Sequence, residues 1–217
     1  MLMQEGLSVV HLFAKPTPGT DRVAVYAAVE QAESDGCQVV TVAMLGHKAD
    51  LCVMALSNDW NTLRSLQTAL QRAGLDIVDS YVSITEISEY AKGLPENMLK
   101  DRLYPNLPPD GLRAFSFYPM SKKREGHANW FATPFDDRRD MMMEHGKSGR
   151  QFAGQLVQLI SASSGLDDFE WGVTLFAKSP EVVKNVVYTM RYDEGSAVYG
   201  EFGAFYVGYV DAIDSIL

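Results

Sequence analysis

The chain has 217 residues, 47% apolar and 22% charged, a balance ordinary for a globular protein and long enough for one large domain or two halves of roughly 100 residues each. Its net charge of −9 argues against a nucleic-acid partner, whose phosphates need a basic face, but not against a small anion held in a local basic pocket. No apolar run approaches the ~20 residues that span a bilayer, the first residues do not read as a secretory signal, and the two cysteines, Cys37 and Cys52, read as free thiols of a cytoplasmic protein.

Residues 8–15 are β-branched and aromatic and close on Pro16, which predicts a strand. Asp21 to Gly36 follows with Val25, Ala28, Val29 and Ala32 at helical spacing and Gly36 as a stop. Two apolar runs, 37–45 and 49–56, joined by Gly46-His47-Lys48, predict a hairpin. Ser57-Asn58 is expected to cap a helix to Arg72, with Leu63, Leu66 and Leu70 as its stripe and Gly74 at its end. A strand over 75–88 completes a β-α-β-β-α-β order, the ferredoxin-like unit. Residues 89–111 are rich in Pro and Gly and read as a connector.

The same order then recurs. It comprises a strand over 113–119, a helix over 135–152 capped by Thr133 with Pro134 at its first position, strands over 155–162 and 169–178, a helix over 180–190 and a last strand over 199–211. Gly200 to Gly203 within that strand suggests a close backbone approach or a bulge. The fold class is therefore α+β. Two tandem ferredoxin-like halves, 1–105 and 106–217, close face to face into a dimeric α+β barrel able to enclose a ligand.

Chemistry concentrates between Phe117 and Arg150. His145 lies on an amphipathic pattern with Met141, Met142, Gly149 and Phe152. A lone histidine there is most often a core residue, and it cannot hold zinc, which needs three or four protein ligands. It can bind a haem iron, because the porphyrin supplies four nitrogens. Tyr118 and Trp130 read alone as core aromatics, and Lys122, Lys123 and Arg124 as a solvated loop. If Pro119 ends the strand at Tyr118, Lys122 is free to curl over a pocket mouth. Asp167 and Asp168 lack the spacing of a calcium loop and read as turn residues.

These residues carry a nearly full-length resemblance to the coproheme decarboxylases of the chlorite dismutase-like superfamily. It rests on Ser-Tyr-Val-Ser-Ile-Thr-Glu-Ile-Ser-Glu-Tyr (80–90), Arg-Leu-Tyr-Pro (102–105), Tyr-Pro-Met-Ser-Lys (118–122), Asn-Trp-Phe (129–131) and Glu-His-Gly-Lys-Ser-Gly-Arg (144–150). Glu-Trp-Gly-Val-Thr-Leu-Phe (170–176), Met-Arg-Tyr-Asp-Glu (190–194) and Tyr-Gly-Glu-Phe-Gly-Ala-Phe-Tyr-Val-Gly (199–208) extend it. The resemblance implies hydrogen peroxide-dependent decarboxylation of two propionates of Fe-coproporphyrin III (coproheme) to vinyls, giving haem b. Coproheme would be both substrate and redox centre. His145 would be the iron ligand, Tyr118 the residue oxidised to a radical, Lys122 the assistant at the second propionate and Trp130 a pocket aromatic beside it. Arg102, Arg191 and Ser196 would hold the retained propionates, with Met120 and Gln158 facing the porphyrin. Chlorite-degrading members carry arginine where this chain has Gln158, so that activity is disfavoured. The resemblance further implies a homopentamer, porphyrin binding in the second half and transient contact with coproporphyrin ferrochelatase. The alternatives are a non-catalytic haem-binding or haem-delivery protein of the same barrel, and a haem-free barrel protein.

Overall fold

Strand β1 (Gln4–Pro16) begins the computed structural model, which describes residues 4–91 and 95–217. Helix α1 (Arg22–Ser34) starts where the Asp21 carboxylate accepts from the Ala24 N–H, and the chain leaves it through Gly36 at φ +88°. Strands β2 (Gln38–Leu45) and β3 (Leu51–Ser57) form the expected hairpin. The cap of α2 (Trp60–Arg72) is Asp59 rather than Ser57 or Asn58, because its carboxylate reaches the Asn61 N–H at 2.9 Å, while Ser57 accepts from the Asp59 N–H. β4 (Leu75–Ile87) follows.

The connector is not wholly irregular. It contains α3 (Glu96–Leu103), bracketed by Pro95 and Pro105, with Glu96 at its positive end and Arg102 at its negative end. Strand β5 (Ala114–Lys122) passes through Pro119, contrary to the expectation that the proline stops it. Pro119 faces Gly172 in the ladder, and its carbonyl accepts from the Gly203 N–H at 2.9 Å, so only its missing donor is forgone. A small hairpin, β6 (Arg124–Glu125) and β7 (Ala128–Asn129), leads into a 3-10 turn, Trp130–Ala132. Helix α4 (Phe135–Arg150) starts one residue after Pro134. Thr133 does not cap it, since its hydroxyl donates back to the Asn129 carbonyl.

β8 (Leu156–Ala162), β9 (Trp171–Ala177) and α5 (Pro180–Met190) lie where the pattern puts them. A short helix, α6 (Glu194–Ala197), was not legible. The last strand is broken into β10 (Gly200–Phe202) and β11 (Tyr206–Val210), with α7 (Ile213–Ile216) beyond. Both pieces pair with the same edge of β5, and the register slips by one residue between them. The kink falls at Gly203, where a Cβ would stand 2.6 Å from the Pro119 ring.

Each half has the same antiparallel strand order. In the first it is β4-β1-β3-β2 and in the second β11-β5-β9-β8. The halves join edge to edge through β11–β2 and β4–β8, each lending its fourth strand to the second strand of the other. The ring thus closes by hydrogen bonding and leaves no open edge between the halves, rather than by stacking two sheets. At the β11–β2 seam the approach is close enough that a Cβ on Gly208 would lie 2.2 Å from the Ala43 carbonyl.

The lumen is full. Phe13, Met54, Phe115, Phe117, Phe176 and Tyr206 pack inside it, with Phe13 and Tyr206 stacked at 3.8 Å. A second cluster fills the space between the first sheet and α1 and α2. The barrel therefore encloses aromatic side chains and not a ligand. Among the described residues no helix is long and apolar enough to cross a membrane.

His11 stands wholly buried in this lumen, 4.2 Å from the Phe117 ring. Its Nε2 meets the Thr174 hydroxyl at 3.0 Å and its Nδ1 has no partner among the described residues. Burial lowers its pKa from 6.5 to about 3. Between those values the unfolded chain binds a proton at His11 and the folded chain does not. Folding stability is therefore expected to fall as pH drops from 6.5 towards 3. Urea unfolding measured across that range should lose part of this slope in His11→Leu; an identical slope in the variant would contradict the assignment.

Candidate functional site

Side chains of β5 alternate between the two faces of the sheet. Phe115 and Phe117 enter the lumen, whereas Tyr118, Met120 and Lys122 face outward. Tyr118 and Met120 pack with Val173 and Leu175 of β9 and with Val183, Val186, Val187 and Met190 of α5. Tyr118 and Lys122, four residues apart on one face, lie roughly 13 Å apart along the strand. Tyr118 and Met120 thus lie outside the barrel, between the second sheet and α5.

Lys122 is not on a solvated loop. It is 7% exposed, and its ammonium donates to the Gly195 carbonyl and sits 4.6 Å from the centroid of the Trp130 ring. It forms no ion pair among the described residues, and burial brings its pKa down to about 8. A buried cation without a counter-charge is costly unless an anion joins it. Its neighbours differ: Lys123 is half-buried, and the exposed Arg124 pairs with Glu170.

Trp130 is buried by the 3-10 turn and meets Tyr199 edge-on at 5.2 Å and Tyr90 at 6.4 Å. Tyr118 lies against Phe205 at 4.5 Å and Phe202 at 5.9 Å, the two rings flanking the kink at Gly203. Burial pushes its pKa up to about 12, and the positive charge of Arg191 opposes that rise. The phenol is therefore neutral at ordinary pH. Arg191, at the end of α5, rests its guanidinium 4.1 Å from the Phe202 ring centroid.

His145 projects from α4 and is partly covered, its side chain 25% exposed. Its Nδ1 is 3.0 Å from Oδ2 of buried Asp193, whose Oδ1 accepts from the Ser148 hydroxyl at 2.7 Å. With Nδ1 donating to Asp193, Nε2 is left as the coordinating nitrogen. Burial lowers the His145 pKa, the nearby Lys122 charge lowers it further and Asp193 opposes both. The imidazole is thus kept neutral, as a metal ligand must be. Ser196, expected from the resemblance to hold a propionate, has its hydroxyl 3.5 Å from Nδ1 of His145.

Gln158 is exposed on β8, on the same outward face as half-buried Leu156 and exposed Ile160, so the sheet has an open apolar strip facing away from the lumen. Arg102 lies exposed on α3, which packs on β4 and β1. It is the one predicted residue contributed by the first half, and no hydrogen bond or ion pair joins it to the others. Sequence reasoning missed Asp193, Phe202 and Phe205. The Asp that caps a short helix was the available signal for the first; nothing local pairs it with a histidine 48 residues earlier.

A porphyrin with carboxylate side chains fits these features. The open strip over Leu156, Gln158 and Ile160 suits its apolar face, His145 suits its iron and the uncompensated Lys122 suits a carboxylate. Among the described residues there is no group of three or more His, Cys, Asp or Glu side chains that would hold a metal without a porphyrin.

Two ferredoxin-like sheets closed edge to edge, with a histidine helix on the outer face of the second, define the class. A family model described as chlorite dismutase matches residues 21–211, and the chain belongs to that family. It is 42% identical to the coproheme decarboxylase of Staphylococcus saprophyticus over 183 residues, 79% of this chain and 72% of that one. A Natronomonas pharaonis protein whose name proposes heme binding is 39% identical over 206 residues, 88% of this chain; the match spans only 34% of that longer protein. Among solved structures, a heme-binding protein from Thermus thermophilus superposes with a TM-score of 0.87 at 32% identity, covering 99% of this chain and 95% of the other. Chlorite dismutase from Candidatus Nitrospira defluvii superposes at 0.79 with 20% identity, covering 98% and 94%, a likeness of fold.

The His145 environment can be tested on the ligand-free protein. An NMR titration should place its pKa below 6.5. Lys122→Met should raise it by removing a like charge, and Asp193→Asn should lower it by removing the acceptor. Unchanged values in both variants would show that the two side chains do not reach the imidazole.

Proposed function

We propose that the protein converts Fe-coproporphyrin III to haem b, using hydrogen peroxide to remove two propionate carboxyl groups and leave vinyls. The observation that carries this reading is Lys122, a buried cation with no counter-ion among the described residues, on the same outward face as a neutral, buried Tyr118. A protein that only carries haem has no need of an oxidisable phenol and an unpaired ammonium at the ligand's edge. The 42% identity to a coproheme decarboxylase supports the same choice. In this reading residues 106–217 hold the porphyrin and residues 1–105 complete the barrel and contribute Arg102.

The coproheme iron, when bound, supplies oxidising power from peroxide. His145 donates Nε2 to it while Asp193 fixes the ring through Nδ1. Tyr118 carries the oxidation to the substrate. Having lost an electron, and its proton to the water that peroxide becomes, the phenoxyl oxygen takes a hydrogen atom from the β-carbon of a propionate and is restored to phenol. The carboxylate then leaves as carbon dioxide, one more electron is given up, and the carbon–carbon double bond remains. Each round turns one propionic acid side chain and one hydrogen peroxide into a vinyl, one carbon dioxide and two waters.

Lys122 pairs with the carboxylate that would otherwise be buried alone. With a pKa near 8 it can also give or hold a proton there without a large penalty. Arg191 lies beside Tyr118 through Phe202 and, in this reading, pairs with a retained propionate, a task that Arg102 and Ser196 share. Trp130 walls the pocket behind Lys122.

Tyr118→Phe should bind coproheme but lose the first decarboxylation, with activity down at least about a thousandfold, because the hydrogen-abstracting oxygen is gone. Mass spectrometry of the porphyrin would check this, and normal haem b formation by the variant would remove Tyr118 from its role. Lys122→Ala should accumulate the three-propionate intermediate more than unreacted coproheme. Equal slowing of both steps would remove Lys122 from a specific role at the second propionate.

A further inference from the structure

Two oxidisable rings border the same site, Tyr118 midway along the outward face of β5 and Trp130 behind Lys122 at its end. Their competition is not even. An indole gives up an electron from its neutral ring, whereas a buried phenol must release its proton as well. Tyr118 is sealed against Phe202 and Phe205, which accept no proton. Left to itself, Trp130 is the easier ring to oxidise. Beyond it stands Tyr199 at 5.2 Å, which would carry the oxidation away from the substrate.

One feature of the pocket opposes that loss. The Lys122 ammonium lies 4.6 Å from the Trp130 ring centroid, both side chains are buried, and no acidic side chain among the described residues neutralises the charge. A cation over the ring attracts the neutral indole and repels the radical cation formed when it loses an electron. At this distance in a poorly solvated site the repulsion shifts the equilibrium between the two rings by roughly a hundredfold while the ammonium is unpaired, and still by roughly tenfold when a propionate carboxylate on its far side partly offsets it.

We propose that Lys122 acts as an electrostatic insulator, holding Trp130 out of the oxidation so that it reaches Tyr118 and the substrate. This rests on the peroxide-driven reading above, and it gives Lys122 a task separate from pairing with a carboxylate. When the insulation is removed, the indole loses an electron and then its N–H proton, and the end product is an oxindole. Overall one indole and one hydrogen peroxide give one oxindole, with oxygen at C2 and the displaced hydrogen moved to C3, and one water.

The test uses the coproheme-loaded protein, limiting hydrogen peroxide and peptide mass spectrometry at Trp130. Lys122→Met, which keeps the length and loses the charge, should oxidise Trp130 roughly tenfold or more per peroxide consumed than the unaltered protein. Lys122→Arg, which keeps the charge, should stay close to the unaltered protein. Freeze-quench electron paramagnetic resonance should show an indolyl radical in Lys122→Met that disappears when Trp130→Phe is added. Lys122→Gln serves if the methionine variant does not fold. Equal Trp130 oxidation with and without the charge, or as much in Lys122→Arg as in Lys122→Met, overturns the inference. If the unaltered protein consumes peroxide without losing carbon dioxide from coproheme, the functional reading falls and this inference with it. If decarboxylation proceeds and Lys122→Met spares Trp130, only the inference falls.

Discussion

The alternation of side chains along β5 is the constraint on which the remaining architecture depends. Phe115 and Phe117 are committed to the lumen, where they meet Phe13, Phe176 and Tyr206 and fill it. Tyr118, Met120 and Lys122 are thereby committed to the outer face. A shift of one residue would bury the lysine among the lumen aromatics and expose the phenylalanines. The register is fixed against β9 from Ala114 to Met120 and against the broken last strand on the other edge. Closing the ring edge to edge then makes the barrel a rigid support with the site mounted outside it.

Electrostatics give that outer site its character. Lys122 stays buried against a carbonyl oxygen and an indole ring with no ion pair among the described residues, a state that stores a preference for an incoming carboxylate. Tyr118 is kept protonated by burial, so it can serve as a source of a hydrogen atom and not as a standing charge. Asp193 takes the opposite part on the helix side, binding His145 and Ser148 at once and fixing which imidazole nitrogen is free. The three groups perform different work because their surroundings differ in charge and solvent access, not because of their residue types alone.

Much of this was legible in the sequence wherever the signal is local. The ferredoxin-like order of both halves followed from periodicity and caps, and the glycines at 200–203 announced the kink that lets Phe202 and Phe205 both reach Tyr118. What failed depended on partners far along the chain. Pro119 looked like a strand end, yet a ladder tolerates a missing donor where the neighbouring glycine backbones lie close. Lys122 to Arg124 looked like one solvated basic loop, but a strand continued through the proline buries the first and leaves the third outside. The lumen looked like a ligand cavity because sheets with helices on one face must cover the other, and composition does not say that aromatics suffice to do it. The roles of His145, Tyr118 and Lys122 came from resemblance; their shared outer face came from the fold.

The central claim is that this outer site removes carboxyl groups from a bound porphyrin and does not merely hold it. Stepwise hydrogen peroxide titration of the coproheme-loaded protein, followed by mass spectrometry of the porphyrin, tests that most directly. The account predicts two successive losses, each of one carbon dioxide and two hydrogens, ending at the mass of haem b. Peroxide consumption with bleaching of the porphyrin and neither loss would contradict it.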